Sequence, residues 1–176
     1  MRRALFLDRD GVINKDLGYV YETQNFYFND GIFELVKNAK QLGYLIFIIT
    51  NQSGIARGYF SERQFDVLMN WVKKKFEDNG ASIDKIYYCP YHEDGVIKKY
   101  TIDHYDRKPN PGMILKATKE YDIDLKKSIL VGDKRTDIQA GINASIPKSI
   151  YFGNEEVEIA YKCVKNLRDI NNELSN

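Results

Sequence analysis

The sequence has few cysteines and histidines, with two of each among its 176 residues. Two cysteines, Cys89 and Cys163, cannot form the disulfide framework that stabilises small secreted domains. We therefore expect a reduced, cytoplasmic protein. The length suits one α/β core better than two, so we expect a single domain over residues 1–176.

Long apolar runs and an excess of charge are also lacking. No stretch approaches the roughly 20 apolar residues that cross a bilayer, and the apolar run near the N-terminus stops at Asp8, too early for a signal peptide. The net charge is only +1, whereas a general nucleic-acid or membrane-surface binder needs surplus positive charge. We expect a monomer with no nucleic-acid or membrane partner.

What the sequence does have is a series of short, dense apolar runs. Runs that are apolar at successive positions are typical of strands covered on both faces, as in a parallel sheet. They predict strands at residues 4–7, 44–49, 86–88, 128–131 and 149–152.

The segments between these runs have apolar residues at helical spacing. One of them begins with Ser61 and Gln64, the spacing of a capping box, and stops at Gly80. We predict helices at 31–42, 61–79, 111–121 and 135–144, and a helical tail after residue 154. The alternation of strands and helices predicts a doubly wound, mostly parallel α/β sheet with helices on both faces. Ligands of such sheets bind beyond the carboxyl ends of the strands.

Polar residues follow the first predicted strand at this edge. Side chains alternate along a strand, so Asp8 and Asp10 should point the same way and Arg9 the opposite way. Gly11 then allows a sharp turn. The sequence therefore predicts a pair of acids at the sheet edge.

Two further strands end in polar residues that should meet this pair. Thr50 follows the second strand, Asp133 follows the fourth, and Asp137 lies four residues on. Crowded carboxylates need a cation among them, and an all-oxygen cluster favours Mg²⁺. Thr50 could donate to a phosphate bound there, and Lys108 is a candidate to complete the charge clamp. This set predicts phosphoryl transfer.

These residues match, in order, the four motifs of the haloacid dehalogenase-like phosphohydrolases: DRDG at 8–11, Thr50, Lys108 and GDxxxD at 132–137. TNQSGIARG and RKPxPGM further resemble the histidinol-phosphatase-like subgroup, which dephosphorylates heptose bisphosphates and histidinol phosphate. The resemblance implies the Rossmann-like fold of that superfamily. The stretch between the first acids and Thr50 is too short for a large cap domain.

The resemblance implies a role for each matched residue. Asp8 would be the nucleophile that forms an aspartyl-phosphate, and Asp10 the general acid and base. Thr50 and Lys108 would stabilise the transferring phosphoryl group. Mg²⁺ would bind to Asp8, Asp133 and the backbone carbonyl of Asp10. Asp137 would support these ligands from behind.

The resemblance also implies the substrate and its contacts. It favours removal of the 7-phosphate from a heptose 1,7-bisphosphate, in the supply of heptose for lipopolysaccharide or capsule, with histidinol phosphate as the alternative. A non-catalytic receiver domain, which also forms an aspartyl-phosphate, is an alternative of another class. Specificity would be carried by loops at about 14–29, 53–60 and 89–107, and Arg107 would bind the second phosphate. The implied substrate contacts are Asp16, Leu17, Gly18, Tyr19, Asn51, Gln52, Ser53, Arg107 and Lys134.

Many family members hold the 89–107 loop with zinc. One of the corresponding positions is Tyr91 here, and His92 lies one place away. A set of Cys89, His92, His104 and Asp106 is chemically acceptable for zinc. The alternative is that Cys89 is a small buried residue, that the histidines are polar loop residues, and that packing holds the loop.

Overall fold

The computed structural model describes residues 1–175, and its centre is a six-stranded sheet in which every neighbouring pair of strands is parallel. The strand order is β3-β2-β1-β4-β5-β6. The strands are β1 (Ala4–Leu7), β2 (Leu45–Asn51), β3 (Lys85–Cys89), β4 (Ile129–Gly132), β5 (Lys148–Phe152) and β6 (Lys162–Val164). The predicted doubly wound sheet is confirmed, and the five predicted strands agree with β1 to β5 to within two residues at each end.

Four α-helices connect the strands, close to the predicted positions. They are α1 (Ile32–Gln41), α2 (Glu62–Asp78), α3 (Gly112–Tyr121) and α4 (Arg135–Asn143). The predicted capping box of α2 is present, since Ser61 Oγ accepts from the Gln64 backbone and the Gln64 side chain accepts from the Ser61 backbone. None of the helices within residues 1–175 is long and apolar enough to cross a membrane.

Two apolar cores cover the faces of the sheet. All four residues of β1 are buried, and they alternate between the cores, with Leu5 and Leu7 on one face and Ala4 and Phe6 on the other. Strand β1 pairs with β2 on one side and with β4 on the other. The residues that follow β1 are therefore held near the middle of the carboxyl edge of the sheet. Within residues 1–175 the insertions after β1 and β2 are too small to form a large cap domain.

The predicted helical tail is wrong. The segment after residue 154 adds β6 to the edge of the sheet and then forms a 3₁₀-helix, Leu167–Glu173. Leu167 and Ile170, the buried residues of this helix, are three apart, which matches the three residues per turn of a 3₁₀-helix. Strand β6 has only three residues, too few for a periodic pattern to distinguish it.

Candidate active site

The carboxyl ends of β1, β2 and β4 bring a buried lysine between two acids. Lys108 Nζ lies 2.8 Å from Asp8 Oδ1 and 2.7 Å from Asp137 Oδ1, and it donates to the Ile49 carbonyl at 3.0 Å. All three charged side chains are buried. Asn51 fixes the lysine backbone by accepting from its N–H at 3.0 Å and donating to its carbonyl at 3.2 Å. The predicted nucleophile and the predicted lysine are therefore in direct contact.

Asp137 is held by the start of α4 as well as by the lysine. Its Oδ2 accepts from the backbone N–H groups of Asp133 and Lys134 at 3.1 and 3.0 Å, and the positive end of the helix favours a carboxylate there. A Cβ on Gly132 would lie 2.2 Å from the Asp137 Cβ. Glycine at 132 is thus required for this acid to pack behind the strand end.

Asp8, Asp133 and Asp137 bring carboxylate oxygens within 4.8 Å of one another. Burial, followed by the charge of Asp137, raises the pKa of Asp8 well above its usual value. Burial is also the main cause that raises the pKa of Asp133 to about 6. Burial and the neighbouring carboxylate charges thus outweigh the opposing charge of Lys108 at both acids.

The donor set fits a hard divalent cation. Asp133 Oδ1 is buried and has no hydrogen-bond partner within the described structure, which leaves one carboxylate oxygen available as a ligand. Oxygen donors of this kind suit Mg²⁺. Gly11, with φ of 94°, leaves the space that the Asp133 carboxylate occupies, because a Cβ there would lie 1.9 Å from Asp133 Oδ2.

Asp10 is fixed from three sides. Its Oδ1 accepts from Arg9 Nη2 at 2.8 Å and from Asn14 Nδ2 at 3.0 Å. Its Oδ2 accepts from Gln52 Nε2 at 3.1 Å, and the same amide donates to Thr50 Oγ1 at 2.8 Å. Gln52 thus links Asp10, the predicted general acid, to Thr50, which is predicted to donate a hydrogen bond to the phosphate.

Arg9 is a residue of this site that the sequence analysis missed. Strand alternation predicted that its side chain points away from the acids. The side chain is indeed buried, with no exposed surface. The guanidinium nevertheless returns to Asp10, and it also donates to the Val20 carbonyl at 2.6 Å. The only signal in the sequence was the position of Arg9 between two motif acids, because an arginine that becomes buried needs a charged partner.

A cavity of about 360 Å³ opens beside these groups. It is lined by Asp10 and Lys108 and by every predicted substrate contact except Leu17, whose side chain is largely exposed. Gly54 and Thr136 line it too and were not predicted. The predicted contacts in its wall are Asp16, Gly18, Tyr19, Asn51, Gln52, Ser53, Arg107 and Lys134.

The structure does not support the possible zinc site. Within residues 1–175 the three aspartates above are the only group of three potential ligands that converge, so Cys89, His92, His104 and Asp106 do not. The Nδ1 atoms of His92 and His104 each accept a backbone N–H at 3.0 Å, from Asp94 and Asp106.

Packing takes the place of a metal in this loop. The His104 ring stacks on Tyr91, with centroids 4.3 Å apart, and the Asp106 carboxylate pairs with Lys116. Cys89 is buried, and burial raises the pKa of its thiol, which disfavours the thiolate that zinc requires. Tyr91 therefore fills the position of the missing ligand with an aromatic contact.

Comparison with known proteins identifies the family. The model of the polynucleotide kinase 3 phosphatase family matches residues 7–162. The chain is 50% identical over 172 residues to D-glycero-alpha-D-manno-heptose-1,7-bisphosphate 7-phosphatase of Burkholderia mallei, covering 96% of this chain and 91% of that protein. It is 47% identical over 150 residues to D-glycero-beta-D-manno-heptose-1,7-bisphosphate 7-phosphatase of Haemophilus influenzae, covering 85% of this chain and 81% of that protein.

A solved structure agrees with these relatives. The crystal structure of D,D-heptose 1,7-bisphosphate phosphatase from B. bronchiseptica, complexed with magnesium and phosphate, superposes with a TM-score of 0.84. The two chains are 25% identical, and the match covers 97% of each. The fold and the family resemblance thus agree over nearly the whole chain.

Proposed function

Because this chain belongs to the haloacid dehalogenase-like phosphatases, in the family of heptose 1,7-bisphosphate 7-phosphatases, we propose that it removes the 7-phosphate of D-glycero-D-manno-heptose 1,7-bisphosphate in a Mg²⁺-dependent reaction. The observation that carries the proposal is the buried contact between Lys108 and Asp8 beside the unpartnered oxygen of Asp133. The relatives are phosphatases by name, which disfavours the receiver-domain alternative.

In the first step, Asp8 attacks the phosphorus of the 7-phosphate. The hydrogen bonds that its Oδ1 accepts from Lys108 Nζ and from the Arg9 backbone, at 2.8 and 2.9 Å, hold the carboxylate in one orientation. A P–O bond to Asp8 forms as the bond to the sugar oxygen breaks. Thr50 Oγ1 accepts from Gln52 at 2.8 Å and donates only a long hydrogen bond of 3.5 Å to the Asn51 carbonyl, which it would exchange for one to the phosphoryl group.

Asp10 handles the protons of both steps. It lines the cavity, where it would protonate the departing sugar oxygen. It would then take a proton from the water that attacks the aspartyl-phosphate, which releases phosphate and restores Asp8. The hydrogen bonds from Arg9, Asn14 and Gln52 support this role by fixing the carboxylate.

Mg²⁺, bound by Asp8, Asp133 and the Asp10 carbonyl, would neutralise the crowded acids and the charge of the phosphate. Asp137 supports this arrangement through its contacts with Lys108 and with the backbone of Asp133. The raised pKa values of Asp8 and Asp133 are consistent with a cation at this position.

The loops at 14–29, 53–60 and 89–107 would bind the sugar, since each contributes to the cavity wall. Asp16 suits sugar hydroxyl groups, and Arg107 suits the 1-phosphate. We further propose a single-domain, monomeric enzyme that supplies heptose for lipopolysaccharide or capsule. Its two unbridged cysteines are consistent with the cytoplasm.

A turnover assay with Mg²⁺ tests the proposal. Heptose 1,7-bisphosphate, as each anomer separately, is compared with histidinol phosphate, and phosphate release is measured. We expect preference for one heptose anomer and a loss of about 10³-fold or more in Asp8→Asn and Asp10→Asn. Preference for histidinol phosphate would overturn the substrate, and retained turnover in Asp8→Asn would overturn the aspartyl-phosphate mechanism.

A further inference from the structure

A second cavity lies at the amino edge of the sheet, at the opposite end of the strands from the active site. Its volume is about 660 Å³, compared with about 360 Å³ for the cavity beside the acids. Three central strands begin in its wall, since Arg3 precedes β1, Tyr44 precedes β2 and Ser128 precedes β4. A strand rises about 3.3 Å per residue, so the four residues of β1 separate the two cavities by roughly 13 Å. The mechanism proposed above uses none of the residues in this wall.

Positive charge is concentrated in the wall of this cavity. Five of its twelve lining residues are basic and none is acidic, and Met1, which carries the N-terminal amine, also lies there. The chain as a whole has 26 basic and 25 acidic residues, so the excess is local. A concave surface lined by one sign of charge attracts ligands of the opposite sign. The basic residues of the wall are Arg2, Arg3, Lys126, Lys127 and Lys148.

Acids outside the wall neutralise only half of these cations. Three ion pairs reach such acids: Met1 with Asp122 at 3.4 Å, Lys127 with Asp124 at 3.9 Å and Lys148 with Glu173 at 3.4 Å. Among residues 1–175, no carboxylate lies within 4.0 Å of the charged groups of Arg2, Arg3 or Lys126. Three cations without counter-ions around one concave space favour a ligand that carries several negative charges.

The guanidinium of Arg3 is already held in place. Its Nη2 donates to the Leu42 carbonyl at 2.5 Å, and its central carbon lies 4.4 Å from the centre of the Tyr44 ring. The Nη1 atom has only a long hydrogen bond of 3.4 Å to Ser175 Oγ. One edge of a fixed guanidinium can therefore exchange a weak contact for an anion.

Backbone hydrogen bonds hold the two sides of the cavity together. The Arg2 N–H donates to the Asp122 carbonyl at 2.8 Å, and the Arg2 carbonyl accepts from the Asp124 N–H at 2.7 Å. Ser128 Oγ accepts from the Ala4 N–H at 2.9 Å and donates to the Asp124 carbonyl at 2.7 Å. These bonds fix the arginines before β1 relative to the lysines before β4. The backbone that carries these charges is thus ordered before a ligand binds, which lowers the cost of binding.

We propose that this cavity binds a small molecule that carries two or more phosphate groups. The guanidinium groups of Arg2 and Arg3 suit phosphate oxygens, and the ammonium of Lys126 adds a third positive charge. The volume is in the range of small-molecule sites, whereas the net charge of only +1 disfavours a nucleic acid. A single phosphate would leave part of this charge without a partner. The site is separate from the active site and does not depend on the proposed function.

Isothermal titration calorimetry with tripolyphosphate tests this site. EDTA is present, so that no divalent metal bound to the aspartates of the active site contributes. We expect the wild type to bind tripolyphosphate at least about 10-fold more tightly than orthophosphate. In the double variant Arg2→Gln, Lys126→Gln the affinity for tripolyphosphate should fall at least about 10-fold, because two charged contacts are lost. Both residues are exposed and have no ion pair in the described structure, so the melting temperature should stay that of the wild type.

Two controls separate this site from other effects of charge. Arg63→Gln with Lys119→Gln removes the same two charges from exposed positions on α2 and α3, and Arg107→Gln removes one from the active-site cavity. Both should bind tripolyphosphate as the wild type does. The proposal is wrong if the wild type binds tripolyphosphate no more tightly than orthophosphate, or if Arg107→Gln weakens binding more than the Arg2, Lys126 variant. An equal loss in the two double variants would also overturn it, as an effect of net charge alone.

Discussion

Arg9 donates to Asp10 Oδ1 at 2.8 Å from a side chain that has no exposed surface. The Val20 carbonyl anchors the same Nη2 at 2.6 Å, and the rings of Phe26 and Phe65 lie 5.8 Å from the guanidinium carbon. A buried charge is stable only when it is paired and packed. The position of the predicted general acid is therefore set from the apolar core beneath it.

Replacing Arg9 by lysine tests this arrangement. The lysine ammonium keeps the charge but lacks the planar guanidinium that contacts both the Asp10 carboxylate and the Val20 carbonyl. We therefore expect kcat to fall about 10-fold and the free energy of unfolding to fall about 1–3 kcal/mol. Steady-state kinetics and thermal unfolding measure both. Arg63→Lys, on the exposed side of α2, is the control. An unchanged kcat in a destabilised Arg9→Lys protein would make Arg9 a purely structural residue.

The Arg9 contact shows how far local patterns carry. Strand alternation predicted that Arg9 points away from the acids, whereas its guanidinium turns back to Asp10. Lys108, predicted from the motif order to join the charged groups, lies against Asp8. Whether a long side chain then curls back depends on the Val20 carbonyl, a tertiary contact that no short pattern encodes. The roles of Asp8, Asp10, Thr50 and Lys108 stay predictions until they are measured.

The 89–107 loop was the hardest part to predict. Residues of the types that bind zinc occur there at roughly suitable spacing, so the sequence allowed a zinc site. The orientation of each histidine ring is set instead by a hydrogen bond that its Nδ1 accepts from the backbone N–H two residues later.

Gly11 is the residue whose enlargement should damage metal binding most directly. In Gly11→Ala the new Cβ would meet Asp133 Oδ2 at 1.9 Å, in a backbone conformation that alanine rarely adopts. We expect kcat/KM to fall at least about 100-fold and the Mg²⁺ requirement to rise. Magnesium titration of activity measures this.

Gly43→Ala is the control for Gly11, because φ is 85° there and a Cβ would meet nothing within 4 Å. This variant should lose about 1 kcal/mol of stability and keep its activity. If both variants lose activity alike, backbone strain rather than the Asp133 contact is responsible.

Magnesium should stabilise the protein more at neutral than at acidic pH. Burial raises the pKa of Asp133 to about 6, so without a cation the folded state binds its proton more tightly than the unfolded state does. This group therefore lowers stability as pH rises from about 4 to about 6, and the penalty is complete above that range. Mg²⁺ removes the penalty.

We expect Mg²⁺ to raise Tm by several degrees at pH 7.5 and by much less at pH 5, as measured by thermal unfolding. In Asp133→Asn most of this increment should disappear at both pH values. An increment in the wild type that is equal at pH 5 and 7.5 would contradict the link between Asp133 ionisation and metal binding.

The 89–107 loop should be held by Glu62 and not by a metal. The carboxylate of Glu62, at the start of α2, accepts from Tyr88 Oη at 2.7 Å and from Tyr100 Oη at 2.6 Å. Removing it in Glu62→Ala leaves two hydroxyl groups without their acceptor, so unfolding free energy should fall about 2–3 kcal/mol and substrate KM should rise. Glu93→Ala changes an exposed acid of the same loop and should have little effect on either the free energy of unfolding or KM.

Dialysis against a zinc chelator should leave the melting temperature of the wild type unchanged. A drop in that temperature after chelation, restored by zinc, would show that the loop binds the metal after all.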